Sequence, residues 1–338
     1  MNNTNFFDNK KVIVTGGAGF IGSCLVRRLC AHTKAHVLVI DKLGFGSNPE
    51  AMFTDSLSGS YSFYKVDITD QSALDLIFAD FKPQVVFHLA AESHVDRSIT
   101  GPRNFIESNV LGTFCVLEAS RKHYESLSDT DKKTFRVHHV STDEVYGSLY
   151  ESGYFTENSP YKPSSPYSAS KAASDHLATA WYKTYGLPVS ISNCTNNFGP
   201  WQDAEKFIPK VITALLRNEE IPLYGDGGNI RDWLYVEDHV DALLKCVEAG
   251  SAGQTYCIGA MNERSNIQVI TEILDIFKVL EYPVSAKIQY VEDRLGHDYR
   301  YAIDPKKAEN QLGWFPANTF VGGLEKTVSW HLERFKTL

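Results

Sequence analysis

The chain has 338 residues, 43% hydrophobic and 22% charged, a composition ordinary for a globular protein with a sizeable core, and a length that suits one large domain plus a smaller one. Its 41 Asp and Glu outweigh 33 Lys and Arg for a net charge of −8, which argues against nucleic acid or an anionic membrane as partner. The start, Met1 to Lys11, is polar, no stretch has the apolar length of a membrane span, and six cysteines lie scattered without a close Cys-x-x-Cys pair, so a cytoplasmic protein with reduced thiols and no metal is expected.

Lys11–Thr15 reads as a short buried strand that empties into Gly16-Gly17-Ala18-Gly19-Phe20-Ile21-Gly22, followed by a helical pattern to about His32. Glycines at 16, 19 and 22 allow a tight turn, close backbone approach to a pyrophosphate, and close packing of helix on sheet. A second apolar run, His36–Ile40, ends at Asp41, nineteen residues after Gly22. A carboxylate there can accept from ribose hydroxyls and would repel a phosphate, so NAD is favoured over NADP. Further apolar runs at Ser62–Val66, Val85–Leu89, Arg136–Val140 and Val189–Ser192 alternate with helical stretches, the pattern of a Rossmann-type doubly wound parallel sheet in an α/β fold. Ligands of such sheets bind beyond the carboxyl ends of the strands. The loops at Asp67-Ile68, Leu89 to Ser93 and Ser141–Glu144 are therefore expected to open toward one crevice, with Asp67 near adenine and the small Ala90 and Ala91 letting the cofactor pass.

Strand-like Arg136–Val140 runs directly into Ser141, Thr142, Asp143 and Glu144. Ser164-Ser165-Pro166 then looks like a helix start, with serine capping and proline at the first helical position. On that helix Tyr167 and Lys171 are one turn apart and share a face. An ammonium near a phenol favours the phenolate, turning a group with a pKa of about 10 into a usable base for oxidising a hydroxyl. The Asp143–Glu144 pair offers an acid and a base beyond what hydride transfer needs, so a second bond-breaking step is expected.

After about Asn193 the alternation becomes less regular, with turns expected at Asn196–Pro200 and Tyr224–Asn229 and a loop at Glu292–Tyr299. Val236–Glu248 reads as an amphipathic helix leading to a strand at Gln254–Ile258, which returns the chain to the first unit. The expected division is an NAD-binding Rossmann domain at 8–193, with 232–260 contributing, and a smaller mixed α/β substrate domain at 194–231 and 261–338.

These residues resemble the extended short-chain dehydrogenase/reductase superfamily, and the resemblance is close for the dTDP-glucose 4,6-dehydratases. It covers nearly the whole chain and rests on LAAESHVDRS from Leu89, VSTDEVYG from Val140, SSPYSASKAASD from Ser164, NCTNNFGP from Asn193, RDWLYVED from Arg231 and DRLGHDYRY from Asp293. Related epimerases and decarboxylases share the glycine loop and the Tyr/Lys pair but lack the Asp-Glu doublet. The open alternatives are a 4,6-dehydratase of a UDP- or GDP-linked hexose, an epimerase or decarboxylase, and a nucleotide sensor without chemistry.

The resemblance implies that Tyr167 takes the proton from the sugar carbon 4 hydroxyl while NAD takes the hydride. Thr142 would hold that hydroxyl, and Lys171 would support the phenolate and the nicotinamide ribose. Glu144 would then remove the carbon 5 proton and Asp143 protonate the departing carbon 6 hydroxyl, before the hydride returns to carbon 6. Besides the glycine loop, with Phe20 and Ile21, it assigns Asp41, Lys42, Asp67, Ile68, Leu89, Ala90, Ala91, Ser93, Asn109, Tyr167, Lys171 and Asn197 to the cofactor. To the nucleotide sugar it assigns Ser93, Thr142, Asn196, Lys206, Arg231, Asn266, Arg294, His297 and Tyr301. Read as plain structure, Arg231 could instead pair with Asp232, Asn266 could cap the helix from Ile267, and His297 could be a satisfied core histidine. Family members are typically dimers packed through helices, here near Asn104–Arg121 and Ala169–Tyr185, so a homodimer is expected. Two departures from the family pattern stand out: Lys42-Leu43-Gly44-Phe45-Gly46-Ser47-Asn48-Pro49 after Asp41, and Leu295 where a proline is usual.

Overall fold

The computed structural model describes residues 5–52, 61–285, 287–293 and 296–337. Among them run twelve strands: β1 (Lys11–Thr15), β2 (His36–Asp41), β3 (Tyr61–Lys65), β4 (Val85–His88), β5 (Arg136–Thr142), β6 (Val189–Cys194), β7 (Asn196–Phe198), β8 (Glu220–Tyr224), β9 (Ile230–Tyr235), β10 (Thr255–Ile258), β11 (Glu263–Ser265) and β12 (Lys287–Val291). Seven of these form one sheet in the order β10-β6-β5-β4-β1-β2-β3, every neighbouring pair parallel. A parallel sheet is covered by helices on both faces, which is why its strands read as continuous apolar runs. On β1 the side chains divide by alternation. Val12 and Val14 pack in one core with the helix Phe20–His32 and with Val240 and Leu243 of Val236–Glu248. Ile13 faces the other core, against Leu74, Phe78 and Leu117 of the helices Gln71–Phe81 and Gly112–Ser126.

The strand order reverses direction between β1 and β4, and the crevice of such a sheet opens at that point, beyond the carboxyl ends. β10 joins this sheet by pairing with β6, so the chain does return to it through Val236–Glu248. The remaining strands make a three-stranded sheet, β11-β9-β7, and a parallel pair, β12-β8. A separate apolar core lies there, with Ile212, Leu215, Ile273, Phe277 and Leu324 fully buried.

Three expectations need correction. Asn196–Phe198, expected as a turn, is strand β7, because Phe198 is buried and the segment finds open backbone partners on β9. The helix Asn266–Val279 is capped by Ser265, whose side chain and that of Gln268 close a reciprocal box, so Asn266 is its first residue and not its cap. The helical stretch expected at Asn104–Arg121 is interrupted by a π-helical segment, Ile106–Leu111, between Pro102–Phe105 and Gly112–Ser126. Among the described residues no helix is long and apolar enough to cross a membrane.

Candidate active site

The glycine loop is built as its spacing demands. Gly16 has φ +70° and a Cβ there would stand 2.6 Å from the Ala90 nitrogen, while a Cβ on Gly22 would stand 2.1 Å from the Gly16 carbonyl oxygen. The Gly19 amide donates to that same Gly16 carbonyl at 3.1 Å, which folds the turn back on itself at the start of the helix Phe20–His32. The result is a backbone cradle that admits a pyrophosphate and that side chains would fill. Asp41, at the end of β2, is buried; one carboxylate oxygen accepts from the Ala18 amide at 3.0 Å and the other from the Leu43 amide at 2.7 Å and from Ser47 Oγ at 3.2 Å. It thus fixes the glycine loop and the loop after β2 together.

From this cradle one continuous cleft of about 1620 Å³, open to solvent, runs across the carboxyl ends of the strands. Gly16, Gly19, Phe20, Ile21, Gly22 and Asp41 line its first end, with Lys42 and Ile68 beside them. Leu89, Ala90, Ala91 and Ser93 form one wall, and Asn196, Asn197 and Lys206 the far end. The residues expected to be catalytic, Thr142, Asp143, Glu144, Tyr167 and Lys171, stand between them.

Strand β5 runs two residues further than expected, in register with β6 through Ser141↔Asn193 and Thr142↔Cys194, and so carries Thr142 to the strand's carboxyl end. Thr142 caps a short 3₁₀ turn, Asp143–Tyr146, its hydroxyl accepting from the Glu144 amide at 3.3 Å and donating to Asp143 Oδ1 at 3.3 Å. Asp143 is 1% exposed with its second oxygen buried and unpartnered. Burial, then the neighbouring Glu144 and Asp232 carboxylates, push it well above the usual carboxylate range, which favours its protonated form. Glu144 beside it is half-exposed toward the cleft.

Tyr167 opens the helix Pro166–Tyr185, whose capping box between Ser165 and Ser168 and first-position proline match the expected start. Its ring is held edge-on by Phe105, centroids 6.3 Å apart. Burial first, then the Glu144 carboxylate, hold the phenol above its usual range, with Thr142 acting the other way. Lys171 is itself buried and donates to the Val140 carbonyl at 2.8 Å; burial lowers its pKa and Asp175 raises it.

Several assigned residues stand back from the cleft lining. Asn109, in the π-helical segment, exchanges hydrogen bonds with the Glu92 backbone at 2.8 and 3.0 Å and donates to Ser170 Oγ at 2.9 Å, pinning the Glu92 loop to the Tyr167 helix. Asp67 accepts from Thr69 N and Oγ1 at 3.0 Å and lies 3.8 Å from Lys42 Nζ. Arg231 does not depend on Asp232, which accepts from the Met261 and Asn262 amides. Its guanidinium donates to the carbonyls of Ile230, Asp298 and Tyr299 and lies 4.3 Å from the Tyr301 ring centroid. Arg231 and Tyr301 nevertheless act on the carboxylates from behind: Arg231 lowers the pKa of Asp143, and Glu144 helps to raise that of Tyr301. The Asn266 amide donates to the Asn229 carbonyl at 3.1 Å, and His297 Nδ1 lies 2.6 Å from Asp293 Oδ1. Arg294 and Leu295 lie outside the described residues.

Sequence reasoning missed cleft-lining Phe45, His94 and Cys194, and the buried Asp175 behind the site. Asp175 was visible inside the segment SSPYSASKAASD, one turn past Lys171, as a charge on a helix face otherwise destined for burial.

A glycine cradle at the switch point of a doubly wound sheet, with a Tyr-x-x-x-Lys helix facing it across the crevice, defines the extended short-chain dehydrogenase/reductase class. Within that class, the family model described as GDP-mannose 4,6 dehydratase matches residues 13–327. The chain is 51% identical to a dTDP-glucose 4,6-dehydratase of Shigella flexneri over 95% of this chain and 92% of that one. It is 50% identical to dTDP-glucose 4,6-dehydratase 1 of Escherichia coli K12 over 96% and 94%. Its fold superposes on the crystal structure of the dTDP-glucose 4,6-dehydratase DesIV from Streptomyces venezuelae, which has NAD bound, with a TM-score of 0.88, 40% identity and coverage of 97% and 98%. A UDP-glucose 4-epimerase from Thermotoga maritima shares the fold at a TM-score of 0.85 but only 28% identity, covering 96% of this chain and 99% of that one. The chain belongs to the dTDP-glucose 4,6-dehydratase family.

Proposed function

We propose that this chain is an NAD-dependent enzyme that dehydrates dTDP-glucose to dTDP-4-keto-6-deoxyglucose. The observation that carries the reading is Asp143, a buried carboxyl that lines the cleft between Thr142 and Glu144, where burial favours its protonated form. Oxidation or epimerisation needs no such acid; elimination of water does.

The residues present suit NAD, since the glycine cradle would be filled by side chains and the Asp41 carboxylate opposes a further phosphate beside it. Gly16, Gly19, Phe20, Ile21, Gly22, Asp41, Ile68 and Ala90 would hold it, with Lys171 toward the nicotinamide ribose. When bound, NAD supplies the acceptor for the carbon 4 hydride and the donor that returns it to carbon 6. Tyr167 takes the proton from the carbon 4 hydroxyl, which Thr142 orients. The ketone acidifies the hydrogen on carbon 5, Glu144 removes that proton, and Asp143 delivers its own to the departing carbon 6 hydroxyl, so water leaves across carbons 5 and 6. Lys206, whose Nζ donates to the Ser93 carbonyl at 2.9 Å, and Asn196, which lines the same end of the cleft, face the diphosphate. Arg231, Asn266, His297 and Tyr301 would shape the nucleotide side.

In this reading 8–193 with 232–260 binds the cofactor and 194–231 with 261–338 the nucleotide sugar. The chain works as a homodimer, a reading supported by exposed Ile106, Leu111, Phe114, Tyr182 and Tyr185 on neighbouring helices, where Phe114 and Trp181 meet at 5.8 Å between centroids. Six cysteines scattered without a close Cys-x-x-Cys pair support a reducing, cytoplasmic setting. The test is incubation of the purified protein with dTDP-glucose, UDP-glucose and GDP-mannose, reading the 4-keto chromophore in alkali. It is expected with dTDP-glucose. A chromophore only with another nucleotide hexose would reassign the substrate, and an epimer without chromophore would overturn dehydration.

A further inference from the structure

Behind the catalytic tyrosine and lysine lies a second, buried charge. Asp175 is four residues after Lys171 on the same helix and 1% exposed. Four donors from three directions converge on it: His139 Nε2 at 3.1 Å and Ser141 Oγ at 2.8 Å from β5, Asn193 Nδ2 at 3.1 Å from β6, and the Tyr161 hydroxyl at 2.9 Å. Such a cage stabilises a carboxylate and leaves it no room to take a proton. None of these residues but Ser141 lines the cleft, so the cage does not serve to bind a ligand.

Its use follows from its neighbour. A lysine ammonium taken almost wholly out of water loses its proton readily unless an opposite charge lies close, and Lys171 is 5% exposed with a single carbonyl, that of Val140, at 2.8 Å. We propose that Asp175 is a positioning residue for the reaction, the fixed counter-charge that keeps Lys171 an ammonium beside Tyr167. The proposal rests on the reading of Lys171 as the partner of Tyr167.

The other titratable groups that face Lys171 cannot do this. On β4 and β5, His88 and His139 are buried and shifted down, hence neutral, and both are further disfavoured as cations by Lys171 itself. Cys194 on β6 has its thiol pushed up to about 12 by burial, and Tyr167 on the same helix is pushed up as well. Asp175 alone among these is shifted down and ionised, with Lys171 contributing to the shift. Lys171 and Asp175 are buried one turn apart on the helix without a direct salt bridge between them, and the cage fixes the negative charge at that spacing.

The test uses the NAD-loaded enzyme with ¹³Cε-lysine, the Lys171 resonance assigned by its loss in Lys171→Arg. In Asp175→Asn the Lys171 titration is expected to fall by about one to three pH units, and the alkaline limb of single-turnover NADH formation to fall with it while the rate below the limb is retained. Ser141→Ala, which removes a donor but no charge, is expected to leave both in place. A merely structural role would lower the rate at every pH in both variants without moving the limb. Should Asp175→Asn not fold, the reciprocal measurement is available: Lys171→Gln is expected to raise the Asp175 ¹³Cγ titration midpoint. An unchanged Lys171 midpoint in Asp175→Asn, or an unchanged Asp175 midpoint in Lys171→Gln, overturns the proposal. Absence of hydride transfer in the unmodified enzyme would instead overturn the functional reading, leaving the two titrations to stand on their own.

Discussion

The Asp41 carboxylate accepts a hydrogen bond from the Ala18 amide at 3.0 Å, so the residue that ends β2 also holds the glycine loop that follows β1. Asp41→Ala is therefore expected to act twice. It leaves the Ala18 and Leu43 amides without their acceptor, at a cost of about 1–3 kcal/mol in the cofactor-free protein. It also removes the charge that opposes a phosphate, weakening NAD binding and its preference over NADP. Thermal unfolding and titration with both nucleotides read the two effects. A variant with unchanged melting and unchanged selectivity would show that the carboxylate does neither.

Tyr167→Phe keeps the ring that Phe105 packs against and removes only the hydroxyl. The fold is expected to survive, with the transient NADH absorbance on mixing with substrate reduced by about a hundred- to ten-thousand-fold in rate. Undiminished absorbance means that another group is the base.

Asp143→Asn and Glu144→Gln are expected to spare oxidation at carbon 4 while slowing elimination by about 10²–10⁴. NADH then accumulates in both, and exchange of the carbon 5 hydrogen with deuterated water is lost mainly in Glu144→Gln. Stopped-flow absorbance with mass analysis of the sugar separates the steps. Normal dehydration by both variants would reduce the pair to a structural feature.

The same aspartate links stability to pH. Its raised pKa means that the folded chain keeps a proton which the unfolded chain releases above about pH 4. Its contribution is therefore fully present below that value and is lost at about 1.4 kcal/mol per pH unit as pH rises toward the folded pKa. Asp143→Asn escapes this penalty, so it is expected to melt higher than the unmodified protein at neutral pH and alike in acid. The opposite order at neutral pH would mean that Asp143 is ionised in the folded site.

Leu111 is exposed beside Phe114 on the helical stretch that carries the apolar face. If the proposed homodimer packs through this face, Leu111→Glu is expected to yield a monomer in sedimentation velocity without lowering helical content. A variant that sediments as the unmodified chain would move the interface elsewhere.

The sheet was legible because its signals are local. β-branched runs such as KVIVT and HVLVID, the glycine spacing that follows the first of them, and Ser-Ser-Pro before Tyr167 each act over a few residues, where sterics and capping dominate. For the same reason the candidate site residues Thr142, Asp143, Glu144, Tyr167 and Lys171 could be named from order and spacing, and the fold gathers them in one cleft.

What the tertiary structure decided was the state and company of those groups. Desolvation depends on everything packed around a side chain, so no spacing rule shows that burial raises the pKa of Asp143 and of the Tyr167 phenol, or that the hydrogen bonds around Asp175 lower its own against burial. Long-range pairing decided the rest. Asn196–Phe198 became a strand because β9 lay alongside it, Asn109 became a staple because Glu92 and Ser170 came within its reach, and Arg231 turned to carbonyls 67 and 68 residues away rather than to its neighbour. The sequence determined which chemistry the chain carries, because that is written in residue types at short range; only the packed fold set the protonation states that make it work, because those are fixed by burial and by charges brought together from distant parts of the chain.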